Sequence, residues 1–267
     1  MAMSLSKAHA YGNDFLYVEA DGSDRLAWAK RARELCDRHT GAGADGLILY
    51  RPTAQGAEMC LFNADGSPSE VSGNGVRGLA ALLCWQQRQL GREPARELTI
   101  ATGAGDKRLT RLGEDGTTFT FRADMGEPAG VRQAVLDVAG EMVTAVVLRV
   151  GNPQCVVLEA ALDEARYRRL GPQLACHREF PEGTNVEFVH LSGSGRVDML
   201  IWERGVGPTL ASGTGACAAA VAAIAYGGGQ RVLDVSSPGG TQRVEWTSDG
   251  LALTGWAQVV WTGHWRR

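Results

Sequence analysis

Short stretches in which apolar residues dominate or alternate with polar ones recur along the first half of the chain. Phe15–Glu19, Leu47–Tyr50, Ala57–Asn63, Glu97–Ala101 and Thr117–Ala123 predict strands, whereas Trp28–His39 and Val76–Leu90 carry helical spacing. The second half repeats the pattern with predicted strands at Ala145–Val150, Cys155–Glu159, Val186–Leu191, Val197–Trp202, Arg231–Ser236, Gln242–Trp246 and Ala252–Trp261. Its helix, Ala216–Tyr226, is rich in alanine and apolar on nearly every face, so it is expected to be buried rather than amphipathic. Many short strands and one very apolar helix per half predict an α/β (α+β) fold. Each half should be a curved, mostly antiparallel sheet wrapped around its helix.

The two halves also match residue by residue. Gly12-Asn13 recurs as Gly151-Asn152, Gly43-Ala44-Asp45 as Gly183-Thr184-Asn185, Met59–Asn63 as Met199–Glu203, and Ser72–Gly75 as Ser212–Gly215. A looser echo links Thr102–Gly105 to Ser237–Gly240. The offsets of 139, 140, 140, 140 and 135 residues keep their order, which a duplication produces and chance does not. A period this long is not that of a solenoid or propeller. The sequence therefore predicts two pseudo-symmetric domains, 1–128 and 129–267, meeting near Glu127–Gly130.

Composition narrows the function. The 267 residues carry 27 basic and 30 acidic side chains, a net charge of -3, and no long basic block, which argues against a nucleic-acid or anionic-membrane partner. No run approaches a membrane span and the N-terminus lacks a signal-peptide core, so the expectation is a cytoplasmic protein. Cys36, Cys60, Cys84, Cys155, Cys176 and Cys217 form no C-x-x-C pair and read as reduced thiols; Cys155 and Cys217 read as small apolar packing. His9, His39, His177, His190 and His264 show no metal-binding spacing. The 35 glycines stand out, about twice the usual ~7% share, and point to tight turns or backbone held close to a ligand.

The most informative pair is Ser72-Gly73-Asn74-Gly75 and Ser212-Gly213-Thr214-Gly215, each opening a predicted helix. Small residues at a helix start leave backbone N–H groups free at the positive end of the dipole, which suits a carboxylate or phosphate. One copy alone would read as a serine N-cap. Its duplication favours two helix starts converging on one anion. Neither the dinucleotide fingerprint nor the P-loop spacing is present.

These residues, with Lys7–Phe15 (KAHAYGNDF), Phe62–Ser67 (FNADGS), Gly73–Arg77 (GNGVR), Gly151–Pro153 (GNP), Gly183–Val186 (GTNV), Trp202–Gly205 (WERG), Gly213–Ala216 (GTGA) and Pro238–Gly240 (PGG), give a chain that resembles the diaminopimelate epimerase family nearly end to end. The resemblance implies two similar domains around a central cleft, a small amino-acid substrate, two-base inversion of an α-carbon without cofactor or metal, and a homodimer. In the family a cysteine precedes each helix-start Gly-x-Gly and serves as acid or base; here those positions are Ser72 and Ser212. The resemblance assigns the amides of Gly73, Asn74, Gly213 and Thr214 to the substrate α-carboxylate. It assigns Asn13, Asn63, Asn152, Asn185, Glu203 and Arg204 to the rest of the substrate, with Arg204 suited to a distal carboxylate.

Four positions depart from the family pattern. Both cysteines are serine, the family's histidine after Asn-Pro is Gln154, its glutamine after Gly-x-Asp is Gly46, and its glutamate after Gly-x-Gly is Pro208. A thiol ionises near pH 8.5 whereas an alkoxide forms about as reluctantly as hydroxide, so serine has almost no basic form at neutral pH. The leading expectation is an isomerase of this family whose proton transfer is impaired or divergent. A second is a relative doing a one-base isomerisation, dehydration or cyclisation with Asp45 or Glu203 as base. The third is a non-catalytic amino-acid-binding protein.

Overall fold

The computed structural model describes residues 3–20 and 24–266, which form a mixed α/β fold dominated by strands. The chain divides into two compact units, one of residues 1–123 with 255–267 and the other of residues 124–254.

The first unit runs β1 (Met3–Ala10), β2 (Asn13–Glu19), α1 (Arg25–Cys36), β3 (Gly46–Thr53), β4 (Gly56–Asn63), β5 (Pro68–Ser69), α2 (Gly73–Gln89), β6 (Glu97–Thr102), β7 (Gly105–Asp115) and β8 (Thr118–Gly126). β1 and β2 are antiparallel, β2 and β3 parallel, β3 and β4 antiparallel, β4 and β6 parallel, and β6 to β8 a meander. The ring continues through the chain's last residues, which run antiparallel to β1 from Met3 opposite Trp265 to His9 opposite Gln258. The Val259 N–H donates to the Thr117 carbonyl at 3.0 Å beside β8. Helix α2 lies inside this sheet, packed on β1, β2, β6 and β7, with every residue from Asn74 to Cys84 buried.

The second unit repeats the plan with β9 (Ala129–Val138), β10 (Glu141–Val150), β11 (Asn152–Glu159), α3 (Glu164–Ala175), β12 (Asn185–Leu191), β13 (Arg196–Glu203), β14 (Gly207–Thr209), α4 (Gly213–Tyr226), β15 (Val232–Ser237), β16 (Gly240–Thr247) and the first part of β17 (Gly250–Trp265). Here too two pairings are parallel, β11 with β12 and β13 with β15. The sheet surrounds α4, which touches β10, β11, β12, β13, β15 and β16. A helix of alanine, cysteine and valine suits that place because its slender side chains let strands approach from all directions. Ala216–Ala223 are completely buried in one core cluster with Val156, Val189, Ile201 and Leu253.

Helix ends follow local chemistry. Asp24 caps α1 by accepting from Ala27 N at 3.0 Å, and Asp37 stops it by accepting from His39 N and Thr40 N. The helix thus lies over Arg25–Cys36 rather than Trp28–His39. Strands β1, β5, β7, β9 and β14 and helix α3 add to the elements the sequence pattern predicts. The chain's second copy also surrenders its end: the part of β17 from Gly255 to Trp265 belongs to the first unit, where it pairs with β1 from Gln258 onwards.

Strand register refines the internal match. Phe15 pairs with Gly46 and Gln154 with Asn185 at the same point of the two β2–β3 and β11–β12 pairs. Asn185 is therefore the counterpart of Gly46, not of Asp45. Ala44 N bonds Cys36 O and Thr184 N bonds Ala175 O, at the C-terminal ends of α1 and α3, so Asp45 is one extra residue in the first copy.

Candidate functional site

In the first unit Ser72 has extended backbone (φ -131°, ψ 122°) and its Oγ accepts from Gly75 N at 3.1 Å, capping α2. Gly73 and Asn74 lie in the first turn, whose amides have no partner within a helix. The Asn74 side chain donates to Asn13 Oδ1 at 3.2 Å, and its own carbonyl accepts a short bond from the buried Arg77. Asn13 donates to Asp45 Oδ2 at 2.7 Å. Arg38 Nη2 binds Asp45 Oδ1 at 2.7 Å, and Asp14 N donates to Asp45 Oδ2 at 3.1 Å. Both oxygens of Asp45 are thus engaged, which makes it an anchor for Asn13 rather than the free base the sequence allowed. Asn63 stands at the end of β4 and donates to Ser67 Oγ at 2.9 Å, apart from that chain of amides. Gly46 pairs with Asn63, and a Cβ there would stand 2.8 Å from the Phe62 carbonyl and 3.1 Å from the Phe15 ring, so the space for a longer residue is filled.

The second unit repeats the helix start closely. Ser212 (φ -135°, ψ 133°) accepts from Gly215 N at 3.1 Å, and its Oγ lies 3.4 Å from Thr214 Oγ1. Gln154 is completely buried and donates to Asn152 Oδ1 at 2.6 Å, fixing Asn152 from within the sheet. Asn185 Oδ1 accepts from Arg204 N at 3.0 Å, which ties the start of β12 to the turn after Glu203. The exposed Arg204 guanidinium rests on the Glu182 carbonyl at 2.8 Å and helps line a cavity of about 380 Å³ with Phe180, Gly183, Trp202 and Cys176. Pro208 is exposed on β14, where it can hold no proton.

Sequence reasoning passed over two residues at these helix starts. Arg77 is buried on α2 itself, with its guanidinium 5.6 Å from the centre of the Tyr11 ring, and orients Asn74. Glu187 is completely buried on β12 beside Gly215. A lone acid inside Val186-Glu187-Phe188-Val189 was the signal for it. Cys155 and Cys217 are wholly buried, and burial pushes Cys36 up to about 12 and Cys84 up to about 11. His9 bonds Gln258 and meets Trp256 edge-on. Among the described residues no three His, Cys, Asp or Glu side chains are grouped to hold a metal ion.

Each unit therefore presents a capped helix start with amide dipoles directed at an incoming anion and a hydroxyl beside it. Such a start can bind a carboxylate and stabilise charge moving onto it. The family model described as diaminopimelate epimerase matches residues 5–131 and 146–261. A diaminopimelate epimerase of Desulforudis audaxviator is 43% identical over 288 residues, covering 99% of this chain and 100% of the relative. One from Synechocystis is 38% identical over 284 residues, with 99% of each covered. A solved structure from Pseudomonas aeruginosa, titled a predicted epimerase, shares the fold with a TM-score of 0.74 at 16% identity over 99% of both chains.

Proposed function

The chain belongs to the diaminopimelate epimerase family, and we propose that it is a cofactor-independent isomerase that inverts the α-carbon of an amino acid, LL- to meso-diaminopimelate. Ser72 and Ser212 take the acid and base positions. The observation that carries this reading is the identical build of the two helix starts: an extended serine, Oγ to the third amide at 3.1 Å in both, and small residues between. The amides of Gly73, Asn74, Gly213 and Thr214 receive the α-carboxylate, which takes on further charge as the α-proton leaves. Asn13, Asn63, Asn152, Asn185, Glu203 and Arg204 orient the remainder, Arg204 by its exposed guanidinium.

With hydroxyls in place of thiols the proton transfer is slow in this form. Deuterium uptake at the α-carbon of LL- and meso-diaminopimelate in heavy water tests it. Uptake supports the isomerase; binding without uptake supports an amino-acid-binding protein. Gln154, Gly46 and Pro208 favour the second reading, a relative acting by one base on another amino-acid-like substrate, and uptake with such a compound but not with diaminopimelate would select it.

The family resemblance supports a homodimer, and exposed Val135 and Met142 on the β9–β10 ribbon give it apolar surface to cover. Sedimentation velocity checks this. Among the described residues no helix is long and apolar enough to cross a membrane. A cytoplasmic location accords with that family and is checked by fractionation.

A further inference from the structure

Glu187 and Ile48 hold the same place in the two copies. Ile48 pairs with Tyr17 two positions beyond the Phe15–Gly46 pair, and Glu187 pairs with Val156 two positions beyond Gln154–Asn185. Each reaches the glycine of its helix start. Ile48 Cδ1 lies 2.7 Å from where a Cβ on Gly75 would stand, and Glu187 Oε1 lies 2.8 Å from the corresponding point on Gly215. That second point is also 3.2 Å from Ser212 Oγ, so the missing side chain of Gly215 keeps a small gap open between hydroxyl and carboxyl.

Glu187 is completely buried, and neither of its carboxyl oxygens has a hydrogen-bond partner. An unpartnered buried carboxyl disfavours folding, and the isoleucine of the other copy shows that this site accepts an apolar residue. The residues around it are Ser212 at the N-cap of α4, Gly215 on α4, Glu203 on β13 and Cys155 on β11. Burial, and then the charge of Glu203, hold the Glu187 carboxyl well above the usual carboxylate range.

Building on the isomerase reading, we propose that Glu187 is the proton-relay partner of Ser212, and that the Ser72 side, with Ile48 in the matching place, has none. In its carboxylate form, and once the gap to the Ser212 oxygen closes to hydrogen-bond distance around bound substrate, Glu187 accepts the hydroxyl proton of Ser212 while the Ser212 oxygen accepts the substrate α-proton. The electron pair of the broken C–H bond stays on the α-carbon and spreads into the substrate carboxylate. Return of both protons re-forms the C–H bond and restores the carboxylate. Glu187 acts through Ser212 and does not itself touch substrate. One competent side exchanges the α-proton faster than it inverts the centre.

The test follows α-proton loss and stereochemistry of LL- and meso-diaminopimelate by NMR in heavy water, with binding measured by calorimetry. The parent protein should bind, exchange with retention ahead of inversion, and exchange faster as pH rises through the Glu187 titration. Glu187→Gln should still bind, exchange about a hundredfold more slowly, and lose the pH dependence, while Glu187→Asp recovers part of the rate. Should the glutamine variant fold poorly, Glu187→Ile copies the residue that the first unit tolerates and should show the same loss. Exchange by either variant within twofold of the parent overturns the relay and leaves the isomerase reading standing. A parent that binds without exchanging overturns the relay and leaves amino-acid binding. A parent that binds neither isomer overturns both.

Discussion

Asn13 donates its side-chain amide to Asp45 at 2.7 Å, and that one bond decides which way round the amide lies. A carboxylate accepts only, so the Asn13 nitrogen must face Asp45 and its oxygen must face Asn74, which donates to it at 3.2 Å. Arg77 then fixes Asn74 from the other side. The order of donors and acceptors at the α2 start is thus set by the charge on Asp45. Asp45→Asn keeps the shape and removes the constraint, because an amide can present either end. We expect diaminopimelate binding to weaken by about 1–2 kcal/mol with little change in melting temperature. Calorimetry with parent and variant checks it, and unchanged affinity would remove Asn13 from the ligand contacts.

Asp14 sits 2.7 Å from Lys7 Nζ and 2.8 Å from Arg38 Nη2 with little exposure. Burial raises its carboxyl, but the hydrogen bonds and charges of Arg38 and Lys7 outweigh that and bring it down to about 2. A carboxyl held lower in the folded state stabilises the fold above the ordinary carboxylate pKa and stops doing so as pH falls towards 2. The contribution at neutral pH is about 2 kcal/mol. Asp14→Asn should remove it, lowering the melting temperature at pH 7 and flattening the loss of stability between about pH 4 and pH 2. Parallel acid limbs for parent and variant would contradict this.

Much of this was legible along the chain. The Ser-Gly-x-Gly pair, the offset near 140 and the all-round apolar face of Ala216–Tyr226 identify the two capped helices, because caps and burial are local properties. Helix α3 was obscured by Arg166, Arg168 and Arg169, although Tyr167, Leu170 and Leu174 supply a buried stripe at helical spacing. Strand β9 begins within the Glu127–Gly130 punctuation that suggests a domain boundary and is mostly exposed, so its pairing with β10 leaves a weak hydrophobic trace. The role of Asp45 could not be read from residue type. A carboxylate looks alike as base or anchor until its neighbours are known, and Arg38 and Asn13 are brought to it only by the fold.

Tyr17 donates to the Gly75 carbonyl at 3.0 Å, and a Cβ on Gly78 would stand 2.1 Å from the same hydroxyl. Tyr17 is fully buried and has nowhere to swing. Gly78→Ala should therefore destabilise the protein by about 1–3 kcal/mol, as overpacked cores do. Removing the hydroxyl in Gly78→Ala with Tyr17→Phe leaves the ring carbon at 3.1 Å as the nearest neighbour, a contact a small shift relieves. The double variant should be more stable than Gly78→Ala alone, a coupling that urea denaturation measures directly. Additive effects would place the strain elsewhere.

Ser72 and Ser212 both carry an oxygen where the family has sulfur, and both already accept from the third amide of their helices. A cysteine at either position would sit at the positive end of a helix dipole, which lowers thiol pKa and raises the thiolate fraction at neutral pH. Inversion needs a base to take the α-proton and an acid to return one to the opposite face, so neither replacement suffices alone. Ser72→Cys with Ser212→Cys should raise epimerisation of LL-diaminopimelate by at least about a hundredfold, and by far more than the product of the two single gains, because the pair acts as a unit. Coupled assay of meso product across the four proteins checks it. A double variant that binds diaminopimelate but stays inert would place the block at Gln154 and Pro208, where the family's histidine and glutamate are missing. Restoring Gln154→His and Pro208→Glu in that background should then release the activity.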